Sequence, residues 1–226
     1  LFGRASVDVV TTPQPHRWDF DALYRGESPA EGVPAVHSVP WDSKAPKESV
    51  ITWQEQGLIS GDVLDIGCGL GDNAIYLARH GHRVTALDIS PTALITAERR
   101  AHDAGVDVRF AVADATELTG YDDDFDTIVD SGMFHCLADW AKAAYLRAAH
   151  RAARPGARLL MTCFSDADPD REIGVGEAAL RAALDAGGWT VATLEPVTVH
   201  RPGDGTDDEM SFWFVTAERR PVDSSR

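Results

Sequence analysis

Three glycines and one acid are the residues whose spacing first points to chemistry. Residues 63–90 read VLDIGCGLGDNAIYLARHGHRVTALDIS. Gly67, Gly69 and Gly71 stand at alternate positions after the first apolar run. A glycine-rich turn between a strand and a helix lets a ligand lie against the backbone, and the helix start offers unpaired N–H groups. Asp88 lies 21 residues after Gly67, where a carboxylate suits the two ribose hydroxyls of an adenosine, so the segment predicts an adenosine-binding turn.

The residue after the third glycine separates two kinds of adenosine ligand. A dinucleotide fingerprint, G-x-G-x-x-G, needs glycine at position 72, but the residue there is Asp72, whose carboxylate would face a diphosphate. Asp65, just before the glycines, adds an acid that suits a ligand with a cationic amino group. S-Adenosylmethionine has an ammonium, a sulfonium and a ribose, and it has no phosphate. The acids therefore favour S-adenosylmethionine over a nicotinamide dinucleotide.

Strand-like and helix-like segments alternate along the rest of the chain and must position these residues. The helix predicted over 90–105 has the clearest ends, with Ser90 as N-cap, Pro91 at the first helical position and Gly105 after the last turn. Near the C-terminus, two strand-like runs joined by a turn-rich stretch predict a hairpin. The other predicted helices are 70–81, 137–153 and 176–188, and the predicted strands are 62–67, 83–89, 106–114, 125–132, 157–165 and, in the hairpin, 189–201 and 209–218.

This alternation predicts an α/β fold. We expect a mostly parallel, seven-stranded sheet with helices on both faces and an antiparallel last strand. Residues 59–226 would form this domain, whereas residues 1–58 are irregular and rich in proline. The N-terminal segment carries too many aromatic side chains for a solvated tail, among them Phe20, Tyr24 and Trp41. We expect it to bury them, either as a lid over the ligand or against a sheet edge.

Charge and composition disfavour several classes of function. The chain has 21 Lys and Arg against 36 Asp and Glu, a formal net charge of −15, and no basic run, so a nucleic-acid partner is not expected. No apolar stretch reaches the length of a membrane span and the first residues lack a signal-peptide pattern, which indicates a cytoplasmic protein. Cys68, Cys136 and Cys163 are widely spaced, so neither a disulfide framework nor a metal site is predicted. We expect a monomer or a homodimer.

Four segments together resemble the class I S-adenosylmethionine-dependent methyltransferases. They are VLDIGCGLG (63–71), VTALDIS (84–90), FAVADATEL (110–118) and FDTIVDSGMFHCL (125–137). They follow the family's order and spacing, whereas a glycine trio alone is a weak signal. The resemblance implies a Rossmann-like fold and an enzyme that takes a methyl group from S-adenosylmethionine and releases S-adenosylhomocysteine, without a metal.

The resemblance also implies roles for residues near the methionine and ribose parts of the cofactor. Asp65 and the backbone of Gly67 and Gly69 would hold the methionine end, with Gly71 as part of the same cofactor-binding turn. Asp88 would bind both ribose hydroxyls.

Further implied roles concern the adenine and the methyl group. Ile89 would pack on the adenine or serve as an ordinary core residue. Asp114 would accept from the adenine amino group or cap the turn that follows it, and the backbone N–H of Ala115 would donate to the ring. Asp130 and Ser131 would lie beside the transferable methyl group, since open parallel sheets bind ligands at the carboxyl ends of their strands.

The acceptor is indicated by the fourth strand and by the N-terminal segment. The strand ends in DSGMF, not in the Asn/Asp-Pro-Pro-aromatic signature of adenine and amide methyltransferases. FDALYRG (20–26) and VPWDSKAP (39–46) are similar to the branch that contains thiopurine, halide, quinone and heterocyclic-toxin methyltransferases. This similarity implies a lid fixed partly by Asp42 and a small acceptor: a phenol, hydroxy-heterocycle, quinol or thiol. The residues expected to contact the acceptor are Trp41, Phe20, Tyr24 and Phe134.

His135 is the candidate general base for an acceptor hydroxyl. Histidine titrates near neutral pH, and His135 lies five residues after Asp130, where the chain leaves the cofactor. Alternatively it caps or packs the following helix, and His37 is a weaker candidate base. Two other functions stay open: a methyltransferase of protein or nucleic acid, and a non-catalytic S-adenosylmethionine-binding protein.

Overall fold

A seven-stranded sheet lies at the centre of the structure, a computed structural model in which residues 18–36, 38–167, 174–201 and 208–220 are described. A short 3₁₀ turn, Phe134–Cys136, follows the fourth strand. In chain order the elements are α1 (Phe20–Tyr24), α2 (Glu48–Glu55), β1 (Asp62–Ile66), α3 (Asp72–Arg79), β2 (Arg83–Asp88), α4 (Pro91–Ala104), β3 (Arg109–Val112), β4 (Phe125–Ser131), α5 (Asp139–Ala152), β5 (Ala153–Phe164), α6 (Glu177–Ala186), β6 (Trp189–Arg201) and β7 (Asp208–Arg219).

The strand order places a crevice at the middle of the sheet. The order is β3-β2-β1-β4-β5-β7-β6. The first five strands of this order are parallel, and β7 is antiparallel to both of its neighbours. From β1 the chain builds the sheet outward on one side, and from β4 on the other, so the carboxyl ends of β1 and β4 flank the switch point where such sheets bind ligands. The predicted fold, with its antiparallel last strand, is confirmed.

Local sequence signals account for most element boundaries. Ser90 caps α4 by accepting from the backbone N–H three residues later at 3.0 Å, Pro91 is the first helical residue, and Gly105 ends the helix at φ +66°. The other predicted strands and helices are present with ends that differ by a few residues. The predicted hairpin corresponds to β6 and β7, and its tip, 202–207, lies outside the described residues.

The segment predicted to be irregular contains two helices, which corrects that expectation. α2 buries Val50 and Trp53 in the core. Its start has no side-chain cap, because Lys47 occupies the N-cap position, so the usual start signal is missing from the sequence. The chain from α2 onward therefore packs as part of the sheet domain.

Apolar side chains cover the sheet on both faces. Successive residues of a strand point to opposite faces. In β1, Val63 joins a cluster that includes residues of α2, α3 and α4, whereas Leu64 joins a cluster with residues of α5 and α6. Both side chains are fully buried. The sheet is thus rigidly held between two helical layers, and its strand ends form a firm base for a site.

The three cysteines are free thiols. Within the described ranges, no helix combines the length and the apolar character needed to span a bilayer. In the same part of the chain, no group of three or more His, Cys, Asp or Glu residues is placed to hold a metal ion.

Candidate active site

A cavity of about 1350 Å³ opens at the carboxyl ends of the parallel strands. Its floor is formed by the segments that follow β1, β2 and β4, and its walls come from the N-terminal segment and from the β6–β7 hairpin. Pockets for a single small molecule typically measure about 300–1,000 Å³. The cavity therefore has room for two ligands side by side, as a group transfer between two molecules requires.

The turn after β1 brings bare backbone to the cavity floor. Gly67 and Gly69 have φ of +68° and +54°, a left-handed conformation that favours glycine. A Cβ on Gly67 would lie 2.6 Å from the Met133 side chain, and one on Gly69 would lie 2.7 Å from the Tyr24 hydroxyl. Both glycines line the cavity. Their lack of a side chain leaves the floor open to a ligand.

Gly71 has a packing role instead. A Cβ at this position would lie 3.0 Å from the Ala97 Cβ on α4 and 3.4 Å from the Phe110 ring on β3. Gly71 is not among the residues that line the cavity. The structure thus places the third glycine where the start of α3 packs against α4, outside the cavity lining to which the resemblance assigned it.

Asp88 ends β2 at the cavity and holds the glycine turn. Its Oδ2 accepts from the backbone N–H of Gly69 at 2.8 Å, and its Oδ1 accepts from that of Ser90 at 2.9 Å. Burial raises the pKa of Asp88, while these backbone hydrogen bonds oppose the rise. A carboxylate offers about four acceptor positions, so two stay available for hydroxyl groups. The geometry of Asp88 fits a ribose.

Asp65 and Asp130 are buried acids one layer behind the cavity wall. Burial and the charges of Asp88 and Asp130 raise the pKa of Asp65 to about 7, and burial raises the pKa of Asp130 to about 6. Among the described residues, Oδ2 of Asp65 has no hydrogen-bond partner, whereas the Tyr145 hydroxyl lies beside Asp130 and opposes the rise of its pKa. Unsatisfied buried carboxylates are stabilised by a nearby cation. They fit a cofactor that carries an ammonium and a sulfonium, and their position behind the wall suits an action by charge and not by contact.

Ile89, Asp114 and Ala115 line the part of the cavity predicted to hold an adenine. Ile89 is 36% exposed, so its side chain is available to a ligand and does not fill the core. Asp114 Oδ1 accepts from the backbone N–H and the hydroxyl of Thr116 at 2.8 and 2.7 Å, which is a capping role. In the described part of the chain, Asp114 Oδ2 has no hydrogen-bond partner. One oxygen of Asp114 is thus left for a ligand.

The end of β4 places Ser131 at the cavity and Asp130 beneath it. Asp130 Oδ1 accepts from the backbone N–H of Met133 at 2.8 Å and from that of Phe134 at 3.3 Å, so it fixes the turn along the cavity floor. Phe134 is 1% exposed and packs on the Tyr145 ring, with centroids 6.2 Å apart. Phe134 therefore lies in the core and not in an acceptor pocket, which corrects the prediction for this residue.

The lid segment, residues 18–46, presents an aromatic cluster to the cavity. Trp41 Nε1 donates to the Tyr24 hydroxyl at 2.9 Å. The Trp41 ring also lies edge-on to Phe20, with centroids 6.0 Å apart. All three side chains line the cavity, so three of the four residues predicted to contact an acceptor are brought together there.

Polar contacts of Asp21 and Asp42 dock the lid segment onto α4. Asp21 Oδ1 accepts from the Ser90 hydroxyl at 2.6 Å. The Arg100 guanidinium donates to both carboxylate oxygens of Asp42 at 2.9 Å and to Asp72 at 3.0 Å. The Arg100 and Asp42 side chains are 23% and 17% exposed, so water screens this pair only partly. The predicted role of Asp42 thus has a physical basis, whereas Asp21 and Arg100 were missed because their partners are distant in sequence.

His135 lines the cavity in the 3₁₀ turn after β4. Its Nδ1 accepts from the backbone N–H of Phe164 at 3.3 Å, and the two rings pack with centroids 4.3 Å apart. Because Nδ1 is the acceptor, the neutral ring carries its hydrogen on Nε2. In this form the ring donates at Nε2, whereas a base there needs a lone pair. His37 lies outside the described residues.

The wall opposite the lid was not predicted from the sequence. It consists of apolar side chains on one face of β5, β6 and β7, which we call the hairpin wall. Apolar residues at alternate positions of β7 were the available signal, since that spacing is typical of a strand with one covered face. The members of the hairpin wall are Phe164, Val197, Val199, Met210, Phe212 and Phe214.

The fold and the cavity define a class of protein: a Rossmann-like α/β domain with a nucleoside site at its switch point and buried acids that suit a cationic cofactor. Residues 63–156 match the family model described as a methyltransferase domain. The 2-heptyl-1-hydroxyquinolin-4(1H)-one methyltransferase of Mycobacteroides abscessus is 38% identical over 194 residues, which are 84% of this chain and 84% of that protein. The chain belongs to the S-adenosylmethionine-dependent methyltransferases.

Solved structures share the fold. A structure described under the conversion of a disulfide bond into a thioacetal group during echinomycin biosynthesis is 35% identical, with a TM-score of 0.79 over 91% of this chain and 93% of that one. The 1,6-didemethyltoxoflavin-N1-methyltransferase of Burkholderia thailandensis, solved with 1,6-didemethyltoxoflavin and S-adenosylhomocysteine, is 27% identical, with a TM-score of 0.60 over 76% of each chain. Enzyme class and cofactor therefore agree with the sequence predictions.

Proposed function

We propose that this methyltransferase acts on a hydroxyl group of a small, planar phenolic or heterocyclic acceptor. The observation that carries the proposal is the continuity of the cavity, which runs from the glycine turn to the aromatic rings of Phe20, Tyr24 and Trp41. Two similar proteins are named for planar heterocycles, a hydroxyquinolone and a didemethyltoxoflavin. A net charge of −15 makes nucleic acid a poor acceptor.

The cofactor residues are proposed from the positions that face the cavity. Asp88 accepts from the ribose hydroxyls, and Ile89 packs on the adenine. Asp114 Oδ2 accepts from the adenine amino group, with the Ala115 backbone beside it. Ser131 borders the reacting methyl group. In these assignments the ribose hydroxyls use the acceptor positions of Asp88 that its two backbone hydrogen bonds leave open. The adenine uses Asp114 Oδ2, so no ligand group competes with an existing hydrogen bond.

The chain supplies position and an apolar enclosure for the transfer. Bound S-adenosylmethionine carries the methyl group on a positively charged sulfur. The lid residues Tyr24 and Trp41 hold an aromatic acceptor against the floor, so that its oxygen is in line with that methyl group. Enclosure by the lid and the hairpin wall keeps water from the reacting atoms. This scheme needs no metal, because the rate is raised by holding the acceptor oxygen in line with the methyl group.

His135 is proposed as a hydrogen-bond donor to the acceptor oxygen. The Phe164 N–H on Nδ1 favours the Nε2–H form of the ring, which stabilises an acceptor bound as its anion. This role replaces the general base expected from the sequence, because a base at Nε2 would have to give up the Phe164 hydrogen bond. It suits acceptors whose hydroxyl ionises near neutral pH, such as N-hydroxy heterocycles.

Two substitutions separate a donor from a base at position 135. His135→Gln places an N–H near the position of Nε2, and we expect it to keep kcat within about tenfold of the wild type, whereas His135→Phe should lose about 10- to 100-fold, the contribution of one hydrogen bond to a charged group. Turnover is measured against pH with two acceptors of different acidity. The midpoint of the wild-type pH profile should shift with the pKa of the acceptor hydroxyl. The general base would be the better role for His135 under two conditions. Both variants would be equally inactive, and the midpoint of the wild-type pH profile would be the same with both acceptors.

Loosening the lid is expected to impair the acceptor more than the cofactor. Asp42→Asn removes the bidentate pair with Arg100, and we expect the KM for the acceptor to rise about tenfold, as for the loss of one charge-assisted hydrogen bond. The dissociation constant for S-adenosylmethionine, measured by calorimetry, should change much less. Glu27→Gln is the matched control, because Glu27 pairs with Arg25 within the lid segment itself. Equal losses in both variants would refute the docking role of Asp42.

The proposed function is tested with a panel of acceptors and a labelled methyl donor. The panel contains hydroxyquinolones, simple phenols, quinols, thiols and a protein or nucleic-acid extract as comparison. We expect label in the hydroxylated heterocycles and phenols at their oxygen, located by mass spectrometry. Label confined to thiols, protein or nucleic acid would overturn the proposal, and so would cofactor binding with no transfer to any member.

A further inference from the structure

The hairpin wall is formed by cross-strand neighbours on a single face. In the register of the sheet, Phe164 of β5 is paired with Phe212 of β7, which in turn is paired with Val197 of β6. Met210 and Val199 form the next pair on this face, two residues further along. The Phe164 and Phe212 rings are stacked, with centroids 4.7 Å apart. The wall is therefore a continuous apolar surface and not a set of scattered side chains.

The outer part of this surface extends past the end of β5. The last pair between β5 and β7 is Phe164 with Phe212, whereas β6 and β7 stay paired as far as Arg201 with Asp208. At about 3.4 Å per residue, the apolar part of this ribbon, which ends at the pair of Val199 with Met210, reaches roughly 7 Å beyond Phe212. Such a ribbon gains little stability by itself. An apolar ligand on the cavity face of the ribbon would cover side chains that no third strand or helix in the described part of the chain covers there.

The side chains of the wall keep part of their surface open to the cavity. Val197, Val199, Met210 and Phe212 are only half-buried, whereas Trp213 and Val215, on the opposite face of β7, are in the core. Leaving such apolar area exposed costs about 25 cal/mol per Å² relative to covering it. The same cavity holds the aromatic lid residues, so whatever covers the wall lies beside the acceptor ring.

We propose that the hairpin wall binds a hydrocarbon chain attached to the acceptor ring. The proposal rests on the proposed function for the position of the ring, which lies between the lid and the glycine turn. A flexible alkyl chain matches the wall because its six members are apolar and run as neighbours across three strands. The relative from Mycobacteroides abscessus is named for a ring that carries a heptyl group. The wall thus sets the preferred length of the substituent, while the lid recognises the ring.

The test is a series of 1-hydroxyquinolin-4(1H)-ones with methyl, propyl, pentyl, heptyl and nonyl groups at position 2. Binding is measured by calorimetry in the presence of S-adenosylhomocysteine, and turnover is measured separately with S-adenosylmethionine. We expect the affinity to rise with each added methylene by up to about fourfold, until the wall is covered. Binding that rises with chain length without turnover would contradict the proposed function alone, whereas turnover without a length dependence would overturn the hairpin wall proposal.

Variants of the wall make the test specific. Val199→Thr keeps the shape and strand preference of the side chain but replaces a methyl group with a hydroxyl, and Phe212→Ala removes a ring. Both should flatten the dependence of affinity on chain length, which is read within each variant as the ratio between the heptyl and the methyl compound. Val191→Thr is the matched control, because Val191 lies on the same strand but packs against the core. Val191→Thr should show the same dependence of affinity on chain length as the wild type.

Other occupants of the wall predict a different result. If another part of this chain or a second copy of it covers the wall, affinity will not depend on chain length in the wild type, and the proposal fails. If none of the series binds, the proposal fails as well. A control variant that loses the length dependence as strongly as Val199→Thr would show that the hairpin as a whole, and not its cavity face, is responsible.

Discussion

In Asp88→Ala, the affinity for S-adenosylmethionine is expected to fall at least about a hundredfold. The carboxylate is placed to accept from two ribose hydroxyls, and each hydrogen bond to a charged group contributes about 1.5–3 kcal/mol. The same substitution removes the partners of the Gly69 and Ser90 backbone N–H groups, which adds to the loss. Calorimetry with S-adenosylmethionine and with S-adenosylhomocysteine measures the effect.

A matched ligand separates the ribose contact from damage to the glycine turn. The 2′-deoxy analogue of S-adenosylhomocysteine should bind the wild type about tenfold or more weakly than the parent compound, for the loss of one such hydrogen bond. Asp88→Ala should bind the two compounds almost equally, since its contact to the hydroxyl is already gone. A variant that still prefers the parent compound as strongly as the wild type does would remove Asp88 from the ribose site.

Asp65→Asn should make the ligand-free protein more stable above neutral pH. The pKa of Asp65 is raised from 3.8 to about 7, so between these values the folded state holds a proton that the unfolded state has lost. Stability therefore falls as the pH rises through this window, at about 1.4 kcal/mol per unit of pKa difference. Asparagine has no proton to lose. We expect the thermal unfolding midpoint of the variant to exceed that of the wild type at pH 8.5 and to match it more closely at pH 4.5.

The same variant should bind cationic ligands more weakly. Asp65 acts on the ligand by its charge, so the affinity for S-adenosylmethionine should fall about tenfold at pH 8 while that for 5′-methylthioadenosine, which lacks the ammonium and the sulfonium, stays the same. Asp103→Asn is the control, because it removes one negative charge from an exposed side chain of α4. A variant at position 65 without a gain in stability at high pH would contradict the raised pKa.

The parts of the site that follow from local sequence were predictable, and those that depend on packing between distant segments were not. The strand ends that carry Asp88 and Ser131 follow from apolar runs and from caps such as Ser90. The core position of Phe134 depends on its contact with Tyr145, and the packing role of Gly71 depends on α4. Neither contact can be read from the spacing of nearby residues. The sequence therefore assigned Gly71 to the cofactor and Phe134 to the acceptor.

The lid and the hairpin wall also depend on contacts between distant segments, which local sequence does not predict. An aromatic lid could be expected from the composition of the N-terminal segment, but its Arg100 anchor joins positions 58 residues apart. The alternation of Met210, Phe212 and Phe214 predicts a strand with one apolar face. Which face meets the cavity is decided by the order of strands in the sheet, and that order is not encoded within the strand.

The two walls of the acceptor cavity come from opposite ends of the chain, while the floor comes from its middle. The side chains that face the cavity from either wall can therefore change with little effect on the nucleoside site, because they lie outside the two core clusters that hold the sheet. Recombining the first and last segments of related enzymes on one central scaffold should redirect the choice of acceptor without new catalytic machinery.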